Sequence, residues 1–92
     1  MTEMLDADWK VSEDAVANSV GDETVILHLV NSNYYGLDTI GTVLWEGIDA
    51  GKRPSEICDA VVERYDVGRE IVEADFARFL ADLESNDLIE RR

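Results

Sequence analysis

Seven consecutive residues, Thr24 to Val30 (TVILHLV), constrain this chain more than any other stretch. The run is rich in β-branched residues and almost wholly apolar, which favours a strand. Val25, Leu27 and Leu29 share one face; Thr24, Ile26, His28 and Val30 share the other. Apolar residues on both faces predict a central strand that is at least partly covered on both sides. Gly21-Asp22 ahead of it is a turn signal. Asn31-Ser32-Asn33 behind it reads as a tight connection, since Asn tolerates left-handed geometry, and Asn33 to Leu37 then returns as a hairpin partner. Trp9 to Ser12 and Ala15 to Val20 carry weaker strand patterning.

Beyond Leu37 the apolar period changes to that of helices. Asp38 suits an N-cap, because its carboxylate can accept hydrogen bonds from free first-turn amides. Ile40, Leu44 and Ile48, with Trp45 beside them, mark a helix to about Ala50, and Gly51 is a stop signal. Gly41 weakens that helix but permits close packing. Pro54 opens a second helix whose stripe is Ile57, Val61, Val62 and Tyr65. Gly68 breaks it from a third, about Arg69 to Asn86, with the strongest stripe of all: Val72, Phe76, Phe79, Leu80 and Leu83. Leu88 to Glu90 closes the domain as a short strand. Strands first and three helices after them predict a single α+β domain over residues 1–92, compatible with a winged-helix-like arrangement. Met1 to Asp8 is polar and reads as a loose end.

Charge and cysteine usage narrow the function. There are 21 acidic residues against 8 basic ones, a net charge of −13. Ten of the acids and only Lys10 among the bases fall in the first 51 residues. Such a field repels phosphate backbones and anionic lipid and attracts basic segments. Cys58 is the only cysteine, so no internal disulfide forms. Neither a signal peptide nor an apolar run of about 20 residues is visible, and a cytoplasmic location is the default expectation.

Catalytic signals are weak. His28 is the only histidine and lies 30 positions before Cys58, too little for a nucleophile pair or a metal site. The glycines are dispersed and form no phosphate loop. The expectation is a protein that is not an enzyme, with no cofactor and no metal. A DNA-reading winged helix needs a basic recognition helix. The third helix sets Arg69 and Arg78 against Glu70, Glu73, Asp75, Asp82 and Glu84, which argues against nucleic acid.

Peptide binding is left. An edge strand offers unpaired amides and carbonyls that an extended peptide can join. Asn33 to Leu37 is the candidate edge. If the third helix lies beside it, Phe76 or Phe79 floors a groove that Tyr34 or Tyr35 walls. Asp75, Arg78 and Asp82 occupy a separate strip of that helix, suited to polar contacts at the rim. The plainer alternative is that the aromatics are core and the charges solvated.

Four ordered pieces carry a resemblance: YYGLD at Tyr34 to Asp38, the Gly41…Trp45 spacing in GTVLWEGIDAG, PSEICDAVVERYDV from Pro54 to Val67, and ADFARFLADLESNDLIE from Ala74 to Glu90. Together they resemble the PqqD-like family, the leader-recognition domains of ribosomally made, post-translationally modified peptides. Asn86-Asp87 departs from the pattern, which usually has glycine before the closing strand; Asp can adopt the same left-handed geometry. The resemblance implies a small winged-helix-like fold, an N-terminal three-stranded antiparallel sheet followed by three helices. It also implies that a precursor leader adds as a strand along Asn33, Tyr34, Tyr35, Gly36 and Leu37. Across the groove, Ile71, Val72, Asp75, Phe76, Arg78 and Phe79 would meet it. Of the known subtypes, the chain looks most like the stand-alone recognition proteins of lasso peptide systems. The implied partner is then a separately encoded, cysteine-protease-like leader peptidase. The alternatives are delivery to a radical S-adenosylmethionine enzyme, as in the PqqD type, or a winged-helix regulator. An exposed edge also gives a route to a homodimer.

Overall fold

A computed structural model of the chain describes residues 3–92. The element order is α1 (Glu3–Asp6), β1 (Trp9–Val11), β2 (Ala15–Val20), β3 (Glu23–His28), β4 (Tyr34–Leu37), α2 (Thr39–Asp49), α3 (Pro54–Arg64), α4 (Arg69–Ser85) and β5 (Ile89–Arg91). Strands β2, β3 and β4 form an antiparallel meander with β3 in the centre. Strands β1 and β5 pair separately, Lys10 opposite Glu90, and so tie the two ends of the domain together. This is the α+β architecture expected from the order of periods, a three-stranded sheet followed by three main helices.

Helix signals in the sequence act as local physics requires. The Asp38 Oδ1 accepts a 2.8 Å hydrogen bond from the Gly41 amide and caps α2. Pro54 stands in the first turn of α3, where the Glu56 carboxylate accepts from the Arg53 amide. Val72, Phe76, Phe79, Leu80 and Leu83 are all buried, so the expected stripe of α4 is its core face. Asp87 takes the left-handed conformation (φ 59°) at the turn into β5, as the departure from glycine required. In the β3–β4 connection the left-handed residue is Ser32 (φ 64°) and not an asparagine. Asn31 serves the turn with its side chain, accepting from the Asn33 amide at 2.9 Å.

Two expectations are corrected. Of the supposedly loose N-terminus, Met1 and Thr2 lie outside the described residues, but Glu3–Asp6 is a helical turn with Leu5 buried in the core. One apolar side chain is enough to seat it, and Trp9 Nε1 donates to the Met4 carbonyl at 2.8 Å while Arg91 pairs with Glu3. Strand β3 ends at His28, and only its Thr24, Ile26 and His28 face is buried. Val25 and Leu27 are 40% and 39% exposed, because α2 and α4 meet the sheet on its other face and leave this one open. Two-sided hydrophobicity here marks an uncovered apolar face.

The buried polar groups are satisfied. Thr42 Oγ1 and Thr24 Oγ1 lie 3.0 Å apart, joining α2 to β3. His28 is buried, and its Nδ1 accepts from the Val30 and Asn31 amides at 3.2 and 3.3 Å. It holds the hairpin turn. No helix among the described residues is long and apolar enough to cross a membrane.

Candidate peptide-binding groove

Strand β4 pairs with β3 on one side only. Its register decides what the free side offers. The His28 amide donates to the Asn33 carbonyl at 2.8 Å, which makes that pair a hydrogen-bonded one. Bonded and non-bonded pairs alternate along an antiparallel ladder. Ile26/Tyr35 and Thr24/Leu37 are therefore bonded pairs, and Leu27/Tyr34 and Val25/Gly36 are not. The amides and carbonyls of Tyr34 and Gly36 consequently point away from β3, four unpaired backbone groups on the free edge.

The same alternation separates the tyrosines. Tyr35 faces the helices, and its hydroxyl donates to Asp82 Oδ2 at 2.8 Å. Tyr34 faces the opposite way and is 75% exposed. Burial, together with the Asp82 carboxylate, raises the Tyr35 phenol above its usual value. The bond sets the spacing between β4 and the C-terminal half of α4. Behind it Gly41 lets three elements meet: a Cβ there would lie 3.0 Å from Leu37 Cδ2 and 3.1 Å from Phe79 Cζ. Arg78 stacks over the Phe79 ring, 4.7 Å from its centroid, and its Nη2 lies 3.4 Å from Asp75 Oδ1.

The residues singled out in the sequence thus divide. Tyr35, Leu37, Phe79, Arg78 and Asp75 gather along one seam between β4 and α4. Asn33, Tyr34 and Gly36 are exposed along the edge, and Ile71 is 64% exposed near the start of α4. Val72, Phe76 and Phe79 are all buried, because the stripe that makes α4 a helix is also what seats it; of the three, Phe79 is the one that meets Leu37 of β4 around Gly41. Asp82 belongs to the seam more firmly than its place on a rim strip suggested. Spacing put it on the strip of Asp75 and Arg78, but only the fold brings it to a residue 47 positions earlier. The division of edge groups between Tyr34/Gly36 and Tyr35/Leu37 was also open until the hairpin register was known.

Elsewhere the chemistry is sparse. Cys58 is buried, and desolvation pushes its thiol up. Among the described residues no three His, Cys, Asp or Glu side chains gather as a metal-holding group.

The family model for coenzyme PQQ synthesis protein D (PqqD) matches residues 23–89. No curated protein sequence matches the chain. A solved structure of TbiB1 in complex with the TbiA(beta) leader peptide is 42% identical, with a TM-score of 0.81 over 88% of this chain and 94% of that one. A lasso peptide synthetase B1 complexed with the leader peptide is 18% identical and shares the fold, with a TM-score of 0.81 over 91% and 99% of the two chains. A family model spanning well over half of these residues, from the central strand to the last, places the chain in the PqqD family.

Proposed function

We propose that this protein binds the leader segment of a ribosomally made precursor peptide by strand addition to β4 and hands it to a maturation enzyme. The observation that carries the reading is the unpaired β4 edge, joined to α4 by the Tyr35–Asp82 bond. The leader peptide in the TbiB1 complex supports the ligand class. The lasso peptide setting is preferred on the sequence resemblance around YYGLD, with delivery to a radical enzyme as the alternative.

In this mechanism the protein performs recognition. A disordered leader spends part of its interaction energy on ordering. Backbone bonds to Tyr34 and Gly36 supply sequence-independent affinity, and side chains entering the seam at Leu37, Arg78 and Phe79 supply selectivity. Holding the leader raises the local concentration of the attached core peptide at the partner, a separately encoded leader peptidase of cysteine-protease type. A homodimer through the β4 edge would compete with the leader for the same groups.

Amide exchange on labelled protein tests the reading, using the leader half of the precursor encoded in a neighbouring reading frame. Binding should slow exchange at the Tyr34 and Gly36 amides and leave Tyr35 and Leu37, already bonded to β3, nearly unchanged. Protection confined to some other surface, or no saturable binding at near-millimolar peptide, would overturn it. Phe79→Ala and Asp75→Arg should each weaken binding in protein that remains folded.

A further inference from the structure

Gly36 stands in the middle of the edge strand for no reason internal to the fold. Its φ is not positive, and a Cβ built on it meets nothing within 4 Å. Glycine weakens a strand by entropy and lost packing, so an open position that would take any side chain is a cost without a local return. Interior strand glycines often mark the close approach of another chain.

The surroundings show what approaches. Gly36 lies on the open face of the sheet, opposite Val25. It forms part of a depression of about 300 Å³ lined by Val20, Glu23, Thr24, Val25, Gly36, Leu37 and Asp38. Glu23, which pairs with Val20, and Asp38 stand at one end of it. Among the described residues Glu23 forms no ion pair, whereas the Asp38 carboxylate is engaged in capping α2. The hollow therefore has an apolar floor and an acidic end, with Glu23 as its uncommitted carboxylate. That matches a side chain with an aliphatic stem and a cationic head.

We propose that Gly36 is a specificity-determining gap, and that the depression over it receives the Lys or Arg side chain of the leader residue facing Gly36. This rests on the strand-addition reading, which supplies the geometry. Gly36 turns its backbone groups to the free edge, so an added residue sits directly beside it. The side chain of that residue on the open face then meets no neighbour at Gly36 and lies across it onto Val25. The head reaches the Glu23 carboxylate. The strand thus reads its ligand on both faces, apolar groups in the helix-side seam and a cation on the open side.

The test combines stability with binding to the leader half of the neighbouring precursor, measured by fluorescence anisotropy. Gly36→Val should leave the melting temperature unchanged or higher, since β-branched residues suit an open strand position, yet weaken binding about tenfold or more by filling the hollow. Glu23→Gln should weaken it roughly two- to fivefold, as for a partly exposed ion pair. Replacing the leader Lys or Arg that faces Gly36 with Ala should abolish both effects in a double-mutant cycle. Glu23→Lys should recover affinity against a leader carrying Glu there. A leader that binds, with Tyr34 and Gly36 amides protected, but has no basic residue coupled to Gly36 or Glu23, would overturn the gap proposal and leave strand addition standing. A leader that does not bind at all would overturn strand addition, and this proposal with it.

Discussion

Single side chains at the seam between β4 and α4 do most to fix the candidate site. Tyr35→Phe removes one hydrogen bond, and Asp82 can turn to water, so the expected cost is about 0.5–1 kcal/mol in urea unfolding. The raised phenol also gives a pH signature. Below about pH 10, the ordinary tyrosine value, folded and unfolded chains both hold the proton and the contribution is complete. It is lost as pH rises through the higher folded value, so the stability difference between wild type and Tyr35→Phe should shrink on the alkaline side. Gly41→Ala gains helix propensity, but its new methyl group presses on Leu37 and Phe79 at 3.0–3.1 Å. Overpacking should prevail, with a net loss of about 1 kcal/mol. Its proximity to the seam predicts weaker leader binding as well. Gly36→Val is its opposite: both are glycines, yet one is closed in by neighbours and the other by none. The sequence distinguished Gly41 as a packing glycine and placed Gly36 only as part of an edge. Nothing local to the chain says whether the space over a glycine is filled.

Among elements, the N-terminal turn departs most from its sequence reading. Eight residues, half of them polar, look loose, but Leu5 and the following Trp9 are buried, and ion pairs fasten the segment. The Arg91 guanidinium holds the Glu3 carboxyl below the usual range, and Arg53 does the same for Asp8. Lowered carboxyl values stabilise the fold above the ordinary carboxylate range, and that contribution is lost as pH falls through the folded values. Trp9 fluorescence should therefore report loosening of α1 on acidification. Glu3→Gln together with Asp8→Asn should remove the acid-dependent part. Leu5→Ala should cost about 2–5 kcal/mol if the turn is as firmly seated as its burial implies. Helices α2, α3 and α4 were legible because the apolar period agreed with a boundary signal in each: Asp38 and Gly51 for α2, Pro54 for α3 and Gly68 before α4. The limits of β3 were not, because an apolar face left open reads in sequence like one that is covered.

At the scale of the whole molecule, the charge of −13 stands on a chain of 92 residues. Self-repulsion opposes compaction and salt screens it, so the melting temperature should rise between about 10 mM and 0.5 M sodium chloride. A fall would mean that the ion pairs outweigh the repulsion. The same salt range should weaken the leader contact at Glu23 while sparing backbone bonding, which separates the two contributions to binding. Sequence by itself determined the element order, the helical core faces, the Asp38 cap, the left-handed Asp87 and the edge strand, along with the family resemblance. Each of those is written within a few residues of chain, in spacing and in the conformational preference of particular side chains. Tertiary structure alone decided that β1 pairs with β5, that one face of the meander stays open, that Tyr35 turns inward to Asp82, and that Gly36 looks onto an acidic hollow. Those outcomes depend on strand register and on which surfaces meet across 47 positions or more, where a slip of one residue would exchange the two tyrosines.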